Sequence, residues 1–191
     1  MAEAATAVAL AATPALATGE TPVAEGTVLR VLPPRALVRL QLPRRAIAAA
    51  GTLRIGDTPL PTTPGRCAGD DPALLWLAPD GWLLISDHHD GAALAGEARR
   101  ACGERTVAAV DVSDALVGFE LAGARVRELL SRGTGLELSD ETLAPGRCAR
   151  TRLAQLAVIV RPRAAERVEL IVDRGPAAWL RDWFVDAGGL L

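Results

Sequence analysis

Lysine is missing from the 191 residues: all 21 basic side chains are arginine, and tyrosine is missing as well. Without lysine there is no Schiff-base amine and no phosphate-loop ammonium. Without tyrosine there is no phenolic acid or base. Histidine occurs only twice. The three cysteines, Cys67, Cys102 and Cys148, show no CxxC spacing, which argues against a disulfide framework and a zinc knuckle. They read as small apolar side chains in a reducing compartment. An excess of one charge is lacking too: 23 acidic residues face the arginines, and a net charge of −2 leaves no broad cationic surface for nucleic acid. No apolar run reaches the roughly 18–20 residues that cross a bilayer. Neither GxGxxG nor GxxxxGK[ST] occurs. Gly133-Thr134-Gly135 follows a predicted helix where a dinucleotide fingerprint would open one.

What is present is apolar substance: half of the residues are hydrophobic, enough for one domain or two small ones. Residues 1–26 stand apart, rich in Ala, Thr and Pro and without an aromatic side chain. Glu3 stands where a secretory signal places a base. Such a segment cannot bury enough surface to offset its ordering entropy, so 1–26 is expected to be a disordered or loosely helical tail on a cytoplasmic protein.

The remainder uses one pattern twice. ALVRLQL from Ala36 and ALVGFEL from Ala115 alternate with period two, placing Val38, Leu40 and Leu42, and then Val117, Phe119 and Leu121, on one strand face. Each runs into a short helix ending at glycine, Pro43–Ala50 before Gly51 and Ala124–Arg132 before Gly133. The pentapeptide Pro-Gly-Arg-Cys-Ala recurs at 64–68 and 145–149, inside the same order of elements. A hairpin follows in each unit: Leu74–Ala78 and Trp82–Ser86 about Pro79-Asp80-Gly81, then Leu153–Arg161 and Val168–Asp173 across Pro162–Arg167. Helices Gly91–Cys102 and Pro176–Ala187 close the units, the second stopped by Gly188-Gly189. The apolar Thr106–Ser113 forms a further strand that completes the first unit. The order predicts an α+β fold of two related lobes, 27–105 and 106–191, each ferredoxin-like (split βαβ) with helices on one face of an antiparallel sheet.

Chemistry-bearing residues are few. Adjacent His88 and His89 point opposite ways on an extended chain and so do not share a metal, while Asp90 suits a helix N-cap. Ser113 with Asp111 and Asp114 lacks a nucleophile elbow, and a turn accounts for all three. Arg150, Arg152, Arg161 and Arg163 read as surface cations. No catalytic, cofactor-binding or metal-binding residue emerges. The tryptophans are more informative: Trp179, Leu180, Trp183, Phe184 and Ala187 stripe the last helix, and Trp76 and Trp82 lie on the first hairpin. Large aromatics are enriched at protein interfaces, which makes Trp76, Trp82, Trp179 and Trp183 interface candidates.

Five segments carry a resemblance. LWLAPDGWLL (75–84), VDVSDALVGFEL (110–121), LAGARVRELLSRGTGLEL (121–138), LAPGRCARTRLAQLAVIV (143–160) and AAWLRDWFVDAG (177–188) resemble, in order and spacing, the gamma subunit of heterotetrameric sarcosine oxidase. The resemblance implies a non-catalytic subunit of an oxidoreductase complex that demethylates sarcosine to glycine, with hydrogen peroxide and formaldehyde or methylenetetrahydrofolate as co-products. It also implies alpha, beta and delta partner chains, alpha being the main contact. FAD, FMN, NAD, zinc and tetrahydrofolate would belong to those partners and not to this chain. The gamma fold is similar to the folate-binding domain of glycine-cleavage aminomethyltransferase, in keeping with two α+β lobes. An alternative is a free-standing folate-binding, one-carbon-transfer protein of that superfamily. It would need a carboxylate between the lobes for the pterin, and Asp111 and Asp114 are the candidates.

Overall fold

The computed structural model describes residues 14–103 and 107–191. Its first element is a hairpin, β1 (Gly19–Ala24) and β2 (Thr27–Val31), turning at Gly26 with φ +64°. Strand β3 (Ala36–Gln41) leads into a 3-10 stretch, Arg44–Thr52. A two-residue pair, β4 (Arg54–Ile55) and β5 (Thr58–Pro59), and a short β6 (Cys67–Ala68) follow. The hairpin β7 (Ala73–Ala78) and β8 (Gly81–Ser86), helix α1 (Gly91–Cys102) and β9 (Ala108–Asp111) complete the first half. The second half runs β10 (Leu116–Gly123), α2 (Val126–Ser131), β11 (Ala149–Leu153), β12 (Leu156–Ala164), β13 (Arg167–Asp173) and α3 (Ala177–Gly188). The fold is mixed α+β with antiparallel sheets.

Two large sheets result, in the orders β6-β7-β8-β3-β9 and β1-β2-β10-β13-β12-β11. One face of the first packs on α1 and the 3-10 stretch, through Val38, Leu40, Trp82, Leu84, Leu94 and Ala98. The second packs on α2 and α3 through Phe119, Leu121, Leu129, Leu170, Leu180 and Phe184. The remaining two faces meet each other: Leu37, Ala73, Leu75, Leu83 and Ile85 lie against Cys148, Ile159 and Ile171. The layers are therefore helix, sheet, sheet, helix. A sheet covered on both faces needs apolar residues at consecutive positions. That is why β8 buries Trp82-Leu83-Leu84-Ile85 in succession and β13 buries Val168 through Val172.

Local signals set the ends. Asp90 caps α1 by accepting the Ala93 amide at 2.7 Å, and Gly103 closes it with φ +61°. The β11–β12 turn consists of Ala154 and Gln155, both left-handed at φ 49° and 69°, which matches the twist of the flanking strands.

Several expectations change. Gly19–Ala24, assigned to a tail over 1–26, is a strand, because Val23 reaches the core beneath α3 while β2 supplies the backbone partners; residues 1–13 lie outside the described part. The lobe boundaries also change. β2, assigned to 27–105, pairs with β10 of the second half; β9 lies beyond the 105/106 boundary but pairs with β3, as a strand completing the first unit should. Each sheet takes an edge-side strand from the other side of the expected boundary, and that boundary itself falls on 104–106, outside the described residues. Pro43–Ala50 becomes a 3-10 stretch. The long connection at Pro162–Arg167 shrinks to a tight turn because β12 continues to Ala164.

Candidate functional site

The two Pro-Gly-Arg-Cys-Ala segments meet at the seam between the sheets. Gly65 and Gly146 take φ +70° and +81°, turning each chain so that Arg66 and Arg147 form an antiparallel bridge. The bonds are reciprocal: the Cys67 amide donates to Gly146 O and the Cys148 amide to Gly65 O, both at 2.9 Å. The thiols repeat this symmetry. Cys67 Sγ lies 3.2 Å from Arg147 O, and Cys148 Sγ lies 3.6 Å from Arg66 O and 3.2 Å from Trp76 O. None of the three cysteines forms a disulfide.

Beside this crossing opens a cleft of about 320 Å³, walled by Cys67, Gly69, Asp70, Gly146, Arg161 and Arg163. A smaller one of about 190 Å³ adjoins it, sharing Asp70, Arg161 and Arg163 and adding Arg35, Asp87 and Glu169. Glu169 is the buried charge at its floor. Its carboxylate accepts from Arg35 and, at 3.3 Å, from Arg161, all three side chains being 11% exposed or less. Burial pushes the Arg35 guanidinium down to about 10, and burial together with nearby Arg163 lowers Arg161. Both remain cationic at neutral pH. A carboxylate shared by two buried guanidiniums is costly to desolvate, and far costlier to leave half-paired. The cleft thus has a cationic wall against a thiol. Cys67 is held below the usual thiol range by its hydrogen bond with Cys148; burial opposes this, and Arg161 and Arg163 reinforce it. The same contact and burial push Cys148 far upward.

The residues singled out in sequence are scattered. Of Arg150, Arg152, Arg161 and Arg163, the last two reach the cleft, while Arg152 bonds Gln155 O at 3.1 Å. His88 Nδ1 sits 2.5 Å from Asp71 Oδ2, and His89 Nδ1 lies 2.9 Å from Ser86 Oγ. Ser86 is buried, with its hydroxyl donating to Asp71 and accepting from the His88 and His89 amides, so it serves a turn. Burial pushes the Asp71 carboxyl up, but the bonds from Ser86, His88 and the Asp87 amide outweigh it and hold it below the usual range. Among the described residues no three His, Cys, Asp or Glu side chains gather as for a metal ion.

Asp111 accepts the Ser113 amide at 3.0 Å and the Ser113 hydroxyl at 2.5 Å, while Ser113 Oγ accepts the Leu37 amide at 3.0 Å. Its carboxylate also fills the space a Cβ on Gly91 would enter, 2.1 Å away. Asp114 lines a separate pocket of about 120 Å³ with Leu32, Leu37, Leu116 and Arg174.

The four tryptophans divide. Trp82 is 1% exposed and donates its indole N–H to Pro61 O at 2.7 Å, so it is a core residue, which corrects its place among interface candidates. Trp76 is half-buried against the first core. Trp183 is half-buried too, edge-on to Phe184 at 5.1 Å and 73° and packed over Gly133. Trp179 is half exposed on α3, where Val185 is exposed as well. Sequence reasoning missed Arg35 and Glu169; the available signal was a lone carboxylate inside the apolar run Val168–Val172.

No helix among the described residues is long and apolar enough to cross a membrane. The model of the sarcosine oxidase gamma subunit family matches residues 43–189. No curated protein matches the chain. Among solved structures, heterotetrameric sarcosine oxidase from Corynebacterium sp. U-96, in complex with pyrrole 2-carboxylate, has a similar chain: TM-score 0.72 and 23% identity over 86% of this chain and 84% of that one. The glycine cleavage system aminomethyltransferase T from Bartonella henselae matches with TM-score 0.60 and 14% identity over 84% of this chain. Only 45% of the aminomethyltransferase is covered, so this chain spans under half its length. At these identities the two structures speak for the fold alone.

Proposed function

Because the chain belongs to the sarcosine oxidase gamma subunit family, we propose that it is the non-catalytic gamma subunit of a heterotetrameric sarcosine oxidase. It serves the oxidative demethylation of sarcosine to glycine by supporting the chains that carry the chemistry. The family match over residues 43–189 carries this reading. The structure contributes a reason for a partner: α3 leaves Trp179 and Val185 exposed at 50% and 39%, apolar surface that an alpha chain would cover. In this reading alpha is the main contact, and beta and delta complete the complex. FAD, FMN, NAD, zinc and tetrahydrofolate reside in those chains, and the complex works in the cytoplasm.

Affinity-tagged chain, co-expressed with candidate alpha, beta and delta chains, tests the proposal. A stoichiometric complex with flavin absorbance that consumes oxygen on addition of sarcosine is the expected result. A tagged chain recovered alone and colourless, beside an alpha–beta–delta assembly that is fully active without it, overturns it.

A further inference from the structure

The crossed thiols play no part in that role, yet their setting is specific. Cys67 and Cys148 belong to the repeated pentapeptide and are brought together from the two halves by reciprocal backbone bonds. The contacts set each thiol against the other segment's carbonyl, Cys67 on Arg147 O and Cys148 on Arg66 O, and the two are not equivalent. Cys67 is part-exposed on the wall of the larger cleft, whereas Cys148 is 5% exposed behind it. Arg161 and Arg163 line the same cleft, and Asp70 is the one acidic side chain on its wall. A thiol that is reachable, beside guanidiniums, with a second thiol on the segment bridged to its own, is the arrangement in which an oxidised sulfur is captured before it oxidises further. Cys102, by contrast, is the last residue of α1 and fully buried in the first core.

We propose that Cys67 and Cys148 form a dithiol site for hydrogen peroxide, which closes to a disulfide joining the two halves of the chain. In the first step the Cys67 thiolate attacks one peroxide oxygen, the O–O bond breaks, and the departing hydroxide leaves as water after taking a proton, giving a sulfenic acid on Cys67. In the second, the Cys148 sulfur attacks the Cys67 sulfur, the S–O bond breaks, and hydroxide leaves with the Cys148 proton as a second water. Two thiols lose two electrons, and one peroxide, with two protons, becomes two waters. Arg161 and Arg163 hold the thiolate; neither is consumed.

The folded full-length chain is treated with hydrogen peroxide, quenched with an alkylating reagent, and mapped by mass spectrometry without reduction. The expected product is two hydrogens lighter, with a single cross-linked peptide pair containing Cys67 and Cys148, while Cys102 is alkylated only after unfolding. In Cys148→Ser the reaction stops at Cys67 one oxygen heavier, trapped by dimedone. The wild-type experiment decides by itself if that variant fails to fold. Retention of both thiols in the folded chain under conditions that oxidise the denatured chain overturns the proposal. So does oxidation of Cys67 beyond the sulfenic acid without a cross-link, or a cross-link to Cys102.

Discussion

Gly188 gives the sharpest test of the packing. It ends α3, where it lies directly under β1: a Cβ built on it would sit 1.4 Å from Val23 O and 2.5 Å from Val23 C. Helix propensity alone makes Gly188→Ala favourable by about 1 kcal/mol, because alanine loses less backbone freedom. The contact predicts the opposite sign. The obstruction is backbone on both sides, so no rotamer relieves it, and α3 and β1 must separate by roughly 2 Å to restore ordinary contact distances. Overpacking of this kind costs about 1–3 kcal/mol, and if the hairpin lifts away Val23 also forfeits roughly 2 kcal/mol of burial. The expected net loss is about 2 kcal/mol, read as a lower urea midpoint with an unchanged slope, accompanied by faster amide exchange across Gly19–Ala24. A midpoint that rises, with exchange in that segment as in wild type, would refute the docking of β1 and return the segment to a tail.

Removing the shared carboxylate by Glu169→Ala leaves Arg35 and Arg161 facing each other in a buried site, with an expected cost of about 3–5 kcal/mol in denaturant titration; a change near zero would mean the triad is solvated. Asp71→Asn tests the loop at Ser86–His88: since the folded carboxyl lies below its unfolded value, its contribution is present above the unfolded pKa and is lost as pH falls through the folded one. The variant is therefore less stable at neutral pH, and its stability declines less steeply below about pH 4, in thermal melts across pH. Trp82→Ala and Trp179→Ala separate core from surface. The first should cost about 3–5 kcal/mol. The second should leave the melting temperature within a degree or two and reduce co-purification with an alpha chain; equal destabilisation by both would erase the distinction drawn from their exposure.

How far the sequence leads depends on whether a residue's signal is local. The alternation at Val38-Leu40-Leu42, the Pro79–Gly81 turn and the Asp90 cap are each written within a few positions, and strand and helix follow them closely. The Ala154-Gln155 turn is not, because neither residue advertises a left-handed backbone; only the pairing of β11 with β12 imposes it. The strand at 19–24 is hidden for a related reason: Gly19–Ala24 is extended because β2 and α3 receive it. Trp82 and Trp179 look alike in sequence, and the contact of one with Pro61 O is a long-range fact. The repeated pentapeptide was visible, but its meeting across a near two-fold arrangement was not, and neither was the cleft that the meeting opens. Glu169 offered the one usable hint, a carboxylate where five consecutive positions are otherwise apolar.

The pairing of β2 with β10 has a consequence for synthesis on the ribosome. The hairpin of β1 and β2 emerges early, yet its partner in the sheet lies far ahead: Arg30 is bonded to Glu120, 90 residues later. At ordinary elongation rates of about 5–20 residues per second that is a delay of roughly 5–18 seconds. Throughout it, the β2 edge has open hydrogen-bonding groups and Leu29 and Val31 have no cover. The first sheet is likewise unfinished until β9 has been made. The second sheet therefore stays open until the first is finished, and the vulnerable interval of this protein is its own translation.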